Sequence, residues 1–402
     1  MSVLSGKKVI LGVTGGIAAY KSASLVRLLI KAGAQVQVIM TPASVDFVTP
    51  LTLSTLSKKP VYIHFFNEEN TSALWNNHVE LGIWADLMII APATANTMSK
   101  MVNGNCDNLL LATYLSAKCP VYFAPAMDLD MYKHPSTLAS FGALRCFGNT
   151  MIPAENGELA SGLSGEGRMA EPENIIAFIE KDLERKLPLK GKKILVTAGP
   201  TYEAIDPVRF IGNHSTGKMG FDIADAAANL GAQVMLVTGP THLQPKNKTI
   251  QIKRVRSAED MYNASLEYYD TADAVIAAAA VADYKPKNIA TQKIKKNDPT
   301  FTIELEKTKD ILASLGRNKK NQFLIGFALE TENEIEHAKQ KIQKKNLDLI
   351  VLNSLNDLGA GFGQPTNKVT FIDKNFHIEP HNLKSKEEVA LDIVNKIVNH
   401  YA

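Results

Sequence analysis

Two α/β domains in tandem, each a Rossmann-like, doubly wound parallel sheet, are predicted for this chain of 402 residues. Three observations predict them. The first forty residues spell a strand, a glycine turn, an amphipathic helix and a second strand. The pattern returns after Gly191, where GKKILVTAGPT stands for the earlier GKKVILGVTGG and LGAQVMLVTG for AGAQVQVIMT. Elsewhere short apolar runs alternate with helical stretches, as expected of strands covered on both faces by crossover helices.

The elements follow in order. Residues 8–13 are β-rich, 17–31 carry the apolar spacing of a helix, Gly33 stops it, and 35–40 return to strand. Apolar runs at 87–91 and 121–124 read as further strands of the first sheet. A charged helix over 172–188 runs into Lys-Leu-Pro-Leu-Lys-Gly, whose proline and glycine end it and make a joint near 186–191. The expected domains are therefore 1–187 and 188–402. Strands at 274–278, 323–327 and 349–352 continue the second sheet, and 285–297, rich in lysine and asparagine, reads as a loop or flap.

Composition narrows the function. A formal charge of +3 from 44 basic and 41 acidic residues, with 45% apolar and 21% charged content, excludes a disordered chain and lacks the basic surplus of a nucleic-acid binder. The three cysteines are too few and too scattered for a disulfide framework or a structural zinc site, and they fit a reducing cytoplasm. No apolar run approaches the roughly 18 to 20 residues of a membrane span, and the first residues lack a signal-peptide pattern.

The loop Gly12-Val13-Thr14-Gly15-Gly16-Ile17 lies between strand and helix, where glycines let backbone N–H groups approach a phosphate. Its spacing is not G-x-G-x-x-G, and residues 40–44 lack the acidic group that holds a dinucleotide ribose. A mononucleotide suits it better than NAD, which disfavours a nicotinamide oxidoreductase. Two clusters of small and hydroxylated residues, 91–97 and 124–132, follow apolar strands, where open α/β sheets place ligand loops. Thr94 and Asn96 read equally as helix caps, and His78 as either a surface histidine or a base.

GVTGGIAAYK, NHVELGIWADL, APATANT, PAMDLDMY and LASGLSGEGRM, in this order, resemble the FMN-dependent cysteine decarboxylases. Within them they resemble the first half of the bifunctional phosphopantothenoylcysteine decarboxylase/phosphopantothenate-cysteine ligase family of coenzyme A synthesis. The resemblance implies a flavodoxin-like flavoprotein domain. FMN would be held by Thr14, Gly15, Gly16 and Ile17, by Thr41, and by Thr94, Ala95 and Asn96. It also implies His78 as base, with Asp128 and Ser161 in the catalytic set, in a site shared between subunits of a trimer. FMN would supply the electron sink that lets the carboxylate leave as carbon dioxide. Two positions depart from the family, which has asparagine where this chain has Asp128 and a proton-donating cysteine where it has Ser161. A carboxylate at 128 repels a substrate carboxylate by on the order of 1–4 kcal/mol at contact, and a serine hydroxyl is a weaker acid than a thiol. They leave open an active ligase fused to a flavin-binding domain with altered or lost turnover.

In the second half, 197–201 repeats the strand-to-loop geometry, and 206–220 inserts an arginine, an asparagine, hydroxyls and glycines ahead of a helix. Asp283 ends an apolar strand, a suitable carboxylate for magnesium at a triphosphate. Lys293 to Lys296 is either a solvated charge run or a phosphate-binding cluster. TAGPT, DPVRFIGNHSTGKMG, AAVADY, KIKK, GFALET and the helix before NLDLIVLN resemble the ligase half of the same family. The resemblance implies that 4'-phosphopantothenate is activated with CTP to an acyl-cytidylate, from which cysteine displaces CMP. The phosphopantothenoylcysteine formed would feed the first half. Lys293 would be the activating cation, Asp283 would organise Mg2+ and nucleotide, and Asn213 and Arg209 would hold the acyl-phosphate. Ala277, Ala278, Ala279, Lys309, Asp310, Ile311, Leu312, Phe327, Lys341 and Lys345 would line the CTP site. The implied assembly is a homo-oligomer with a trimer-forming flavoprotein half and a dimer-forming ligase half, up to a dodecamer.

Overall fold

A computed structural model of the protein describes residues 2–66, 75–159, 161–295, 302–330, 332–354 and 364–402. Lys296, Asn297, Ala160 and Thr331, parts of segments singled out above, lie outside the described residues. The chain divides into two compact units, Met1–Arg185 and Lys186–Ala402.

The first unit holds strands β1 (Lys8–Val13), β2 (Gln35–Met40), β3 (Leu87–Ala93), β4 (Val121–Pro125) and β5 (Thr150–Met151), and a hairpin of β6 (Glu155–Glu158) and β7 (Ser164–Arg168). Its helices are α1 (Ser22–Lys31), α2 (Pro50–Ser57), α3 (His78–Trp84), α4 (Ala95–Asn103), α5 (Leu109–Ser116), α6 (Leu129–Lys133), α7 (Pro135–Cys146) and α8 (Pro172–Arg185). The parallel sheet runs β2-β1-β3-β4-β5, the flavodoxin-like order. Apolar side chains fill both faces. Leu25, Val26 and Leu29 of α1 and Ile175 and Ile179 of α8 pack on one, while Met98, Leu110 and Phe141 pack on the other. The stretch read as one helix over 17–31 opens as a 3-10 turn, Ile17–Lys21, before α1. That tighter turn lays Ile17, Ala18, Tyr20 and Lys21 along a cavity wall.

The second unit holds β8 (Lys193–Ala198), β9 (Tyr202–Ala204), β10 (Phe210–Gly212), β11 (Gln233–Thr238), β12 (Gln251–Arg254), β13 (Ala274–Ala277), β14 (Tyr284–Pro286), β15 (Leu305–Lys307), β16 (Phe323–Glu330) and β17 (Leu349–Ser354). Then come β18 (Thr366–Asn367), β19 (Val369–Asp373), β20 (Ile378–Pro380) and β21 (Lys384–Ser385). Helices α9 (Lys218–Asn229), α10 (Ala258–Tyr269), α11 (Ile311–Arg317), α12 (Glu334–Lys345) and α13 (Lys386–Tyr401) complete it. The main sheet runs β12-β11-β8-β13-β16-β17-β19-β20. It is parallel as far as β17, and the last two strands are antiparallel, so the expected all-parallel sheet acquires a mixed edge. The reversal between β19 and β20 is made by Asp373, whose Oδ1 accepts from the Asn375 and His377 amides at 2.9 Å each. The stretch expected to be a loop from 285 instead begins in strand, β14 pairing antiparallel with β15.

Helices α9 and α13 cover one face, burying Phe221, Ile223, Ile393 and Ile397; α10, α11 and α12 cover the other with Met261, Leu315 and Ile342. Each fully buried side chain of this size contributes about 1.5–3 kcal/mol. The start of α13 is set by a capping box between Ser385 and Glu388. The three cysteines are free thiols, Cys106 and Cys146 exposed and Cys119 half-buried, where burial pushes its thiol pKa up. Among the described residues no helix is long and apolar enough to cross a membrane.

Candidate functional sites

In both units the strand order reverses beside the first strand, and a cavity opens at the carboxyl ends of the strands there. The first cavity measures about 920 Å³. Gly15, Gly16, Ile17, Thr41, Thr94, Ala95 and Asn96 all line it. Gly15 is required by its neighbour, since a Cβ there would stand 2.8 Å from the Ala43 carbonyl oxygen. Thr14 does not face the cavity. Its buried hydroxyl donates to the Pro92 carbonyl at 2.7 Å and accepts from the Thr94 amide at 3.2 Å, tying the glycine loop to the 94–96 turn. Thr94 in turn caps α4, accepting from the Thr97 amide at 3.4 Å. Thr41 directly follows β2, and among the described residues its buried Oγ1 has no hydrogen-bond partner. A polar atom stranded on a cavity wall calls for a polar ligand.

Asp128 and Ser161 form another part of the same lining. Ser161 Oγ donates to Asp128 Oδ1 at 2.9 Å, and the Leu129 amide donates to the same oxygen at 2.8 Å. The hairpin carrying Ser161 is held against this turn by the Met127 amide, which donates to the Gly167 carbonyl at 3.0 Å. Gly167 has φ +130°, and a Cβ on it would lie 2.4 Å from the Met127 carbonyl oxygen. Three cations of this wall, Lys21, Lys100 and Arg168, were not foreseen from the sequence. Lys21 Nζ, buried, donates to the Met169 carbonyl at 2.8 Å and to Glu171 at 3.0 Å; Arg168 reaches Glu171 at 2.7 Å. The lysine hydrogen bond foremost, opposed by burial and aided by Arg168, holds the Glu171 carboxyl below the usual range. Arg168 stood within a quoted motif, but nothing local in the sequence joins Lys21 to residues 169 and 171.

His78 is not brought to this lining. It opens α3, its ring edge-on to Phe65 and Trp75 with centroids 6.1 and 5.6 Å away, and among the described residues its buried Nδ1 has no hydrogen-bond partner.

The second cavity, about 240 Å³, brings together Asn213, Ala278, Ala279 and Phe327. It lies at the start of α9, with Gly217 at φ +85° packed 3.1 Å, from an added Cβ, against the Gly199 nitrogen. Asn213 Nδ2 donates to the Ala280 and Val281 carbonyls at 3.3 and 3.0 Å, which turns its amide into the loop. Lys218 and Lys386 also line this cavity, unforeseen from the sequence. Lys218 pairs with Asp222 at 2.8 Å. Burial pushes the Lys386 ammonium below its usual range, Asp222 opposing.

The other expected ligase residues lie outside that lining. Ala277 ends β13. Arg209 donates to Asp206 Oδ2 at 3.2 Å and to the Ile294 carbonyl at 3.3 Å, while Ile294 returns its amide to Asp206 at 3.2 Å. This clamp fixes the segment on which exposed Lys293 stands. Burial alone would raise the Asp206 carboxyl, but the amides of Val208, Ile294 and Arg209 and the guanidinium together hold it low. Asp283 is exposed. Among the described residues no group of three His, Cys, Asp or Glu is placed to hold a metal. Lys309 pairs with Glu259 at 2.7 Å and Lys345 with Asp310 at 2.9 Å. Asp310 caps α11, accepting from the Ala313 amide at 2.9 Å. Lys341 is on α12 with Lys345. Ile311 is buried in the core, and Leu312 packs where Gly326 leaves room, its Cδ2 only 2.7 Å from an added Cβ.

Residues 2–184 match the flavoprotein family, and residues 189–401 match the DNA/pantothenate metabolism flavoprotein C-terminal domain. The chain is 53% identical over 356 residues to a cysteine/cysteine sulfinic acid decarboxylase from an unknown prokaryotic organism, covering 87% of this chain and 99% of that one. It is 46% identical over 397 residues to the coenzyme A biosynthesis bifunctional protein CoaBC of Bacillus subtilis (strain 168), covering 98% of this chain and 97% of that one. With the CoaBC of Haemophilus influenzae it shares 43% over 400 residues, 99% of this chain and 98% of that one. The crystal structure of a CoaBC C-terminal domain matches with a TM-score of 0.46 and 44% identity, covering 53% of this chain and 97% of that one.

Proposed function

Because the chain belongs to the CoaBC family of bifunctional coenzyme A biosynthesis proteins, we propose how its two cavities divide the work of that enzyme. The protein is a bifunctional enzyme. Its second unit joins 4'-phosphopantothenate to cysteine, and its first, a flavoprotein unit, decarboxylates the product. Relatives of this kind do not favour a first unit that merely binds flavin.

The observation that carries the first site is Thr41: an orphaned buried hydroxyl on the wall of a cavity large enough for FMN, beside the glycines. These residues fit the group. Gly15, Gly16 and Ile17 would hold its phosphate through backbone amides, and Thr41, Thr94, Ala95 and Asn96 its polar edges. Bound FMN supplies reversible oxidation at the substrate sulfur. Arg168, a cation on the same wall, would hold the carboxylate end of the substrate, and Asp128 and Ser161 would face the cysteinyl nitrogen. His78, outside its own cavity and with a free buried nitrogen, would serve as base in the cavity of a second copy, which makes the enzyme a homo-oligomer.

In the second unit Asn213, Ala278, Ala279 and Phe327 would receive the activated acyl nucleotide, and Lys293, on its clamped segment, would neutralise the CTP phosphates. Asp283 is a lone carboxylate, so Mg2+ there would take most of its ligands from the nucleotide and water. Lys293→Ala abolishes pyrophosphate release from CTP and 4'-phosphopantothenate, while Asn213→Ala lets the intermediate form and leaves it poorly consumed. Mass spectrometry of reactions with CTP, magnesium, cysteine and phosphopantothenate reads both. Full coupled activity in both variants would remove the assignment.

A second substrate for the first unit is supported by the relative at 53% identity, a cysteine/cysteine sulfinic acid decarboxylase. Free cysteine is accordingly proposed beside phosphopantothenoylcysteine.

A further inference from the structure

Two polar residues on the wall of the first cavity touch each other. Ser161 Oγ donates to Asp128 Oδ1, 33 positions away in sequence, at 2.9 Å. With the Leu129 amide at 2.8 Å on the same oxygen, two donors fix the plane of one carboxylate. Among the described residues, Asp128 Oδ2 accepts no hydrogen bond that would compete with a ligand. The hairpin behind Ser161 cannot drift far, because Gly165 and Gly167 leave no space between β7 and the Met127–Leu129 turn. Arg168 lines the same cavity, so the wall offers both a cation and an anion.

Those charges distinguish two kinds of substrate. An N-acylated cysteine presents a carboxylate and a neutral amide nitrogen, and Asp128 has nothing positive to meet. Free cysteine presents the carboxylate and an α-ammonium. A carboxylate oriented by two donors makes a charge-assisted hydrogen bond with an ammonium and only repulsion with a second carboxylate. We propose that Asp128, positioned by Ser161, selects the α-ammonium of a free thiol-bearing amino acid, making cysteine itself a substrate of the first unit. The inference rests on the reading of that unit as a flavin-dependent decarboxylase. The reaction balances without an outside oxidant or reductant: the Cα–C1 bond breaks, carbon dioxide leaves, Cα gains a proton, and cysteamine is formed.

The test compares carbon dioxide release from carboxyl-labelled L-cysteine and from phosphopantothenoylcysteine by the full-length, flavin-loaded enzyme and by Asp128→Asn and Ser161→Ala. The wild type is expected to turn over both substrates. Asp128→Asn shifts the ratio of the two kcat/KM values away from cysteine by about tenfold or more, chiefly through KM for cysteine. Ser161→Ala, which frees the carboxylate to turn, raises KM for cysteine more than KM for phosphopantothenoylcysteine, moving the ratio in the same direction as Asp128→Asn. Binding supplies a second readout: calorimetry with S-methyl-L-cysteine, whose blocked thiol cannot react, shows binding to the wild type that Asp128→Asn loses and N-acetylation of the ligand abolishes. Release from phosphopantothenoylcysteine alone, or an unmoved ratio in Asp128→Asn, overturns the selector and leaves the decarboxylase standing. If neither acid yields carbon dioxide, the decarboxylase reading falls, and calorimetry decides the selector: Asp128-dependent binding of the analogue supports it, and none overturns it.

Discussion

Thr41 keeps a hydroxyl out of water with nothing to bond it, a state that costs about 1–3 kcal/mol. The cost is recovered only when a ligand reaches Oγ1. Thr41→Val therefore raises the thermal midpoint of the flavin-free protein and lowers the stoichiometry of FMN retained through gel filtration, an opposition that a merely structural threonine would not give. Glu171 gives a pH dependence. Its carboxyl is lowered first by the Lys21 hydrogen bond, against burial, and by Arg168. The stability it contributes is complete above the unfolded carboxylate value of about 4.3 and is lost as pH falls through the lower folded value. In urea melts, Glu171→Gln lowers the midpoint at neutral pH, and the gap to wild type closes in acid; a gap independent of pH would contradict the pairing. At this scale the glycine loop and the 94–96 turn, both on the cavity lining, were legible because small residues after strands already speak of close approach, whereas Thr41 came from the resemblance alone. The contact of Ser161 with Asp128 was not legible, since no local pattern links positions that only a folded hairpin brings together.

Among the elements, the segment bearing Lys293 depends on Asp206, which accepts from the Val208 and Arg209 amides at 2.8 Å each and from Ile294 at 3.2 Å. Asp206→Ala frees that segment and strands donors. Its pyrophosphate release from CTP is expected to fall by about tenfold or more in kcat, with thermal melting separating this from global unfolding. Helix α13 shows how a terminus is set. Ser385→Ala removes the hydroxyl that accepts from the Glu388 amide at 3.2 Å, and should cost about 1 kcal/mol in denaturant unfolding of the second unit. The parallel strands were legible as continuous apolar runs because both of their faces are buried. Strands β19 and β20 were not: they lie at the sheet edge, β20 is only three residues long, and an antiparallel return needs no helix to announce it. The β14–β15 pairing likewise joins short, mostly exposed strands about twenty positions apart, beyond any periodicity.

For the molecule as a whole, each unit draws both layers of its core from its own residues, from Leu4 to Ile179 in the first and from Leu189 to Ile397 in the second. A chain starting at Lys186 should fold and join phosphopantothenate to cysteine with kcat within about twofold of the full protein; failure to fold would show that the boundary cuts a shared core. The repeated strand–turn–helix made this duplication legible from the amino acids alone, whereas the opposite surroundings of Lys293, exposed next to the clamped Ile294, and Ile311, sealed in a core, required the tertiary structure. One exposed thiol has a practical use. Cys106 precedes Asp107 and Asn108, two residues of the flavin cavity's lining, while Cys146 is the other exposed thiol. With Cys146 changed to serine, a dye attached at Cys106 would report, through its brightness, when the prosthetic group enters or leaves.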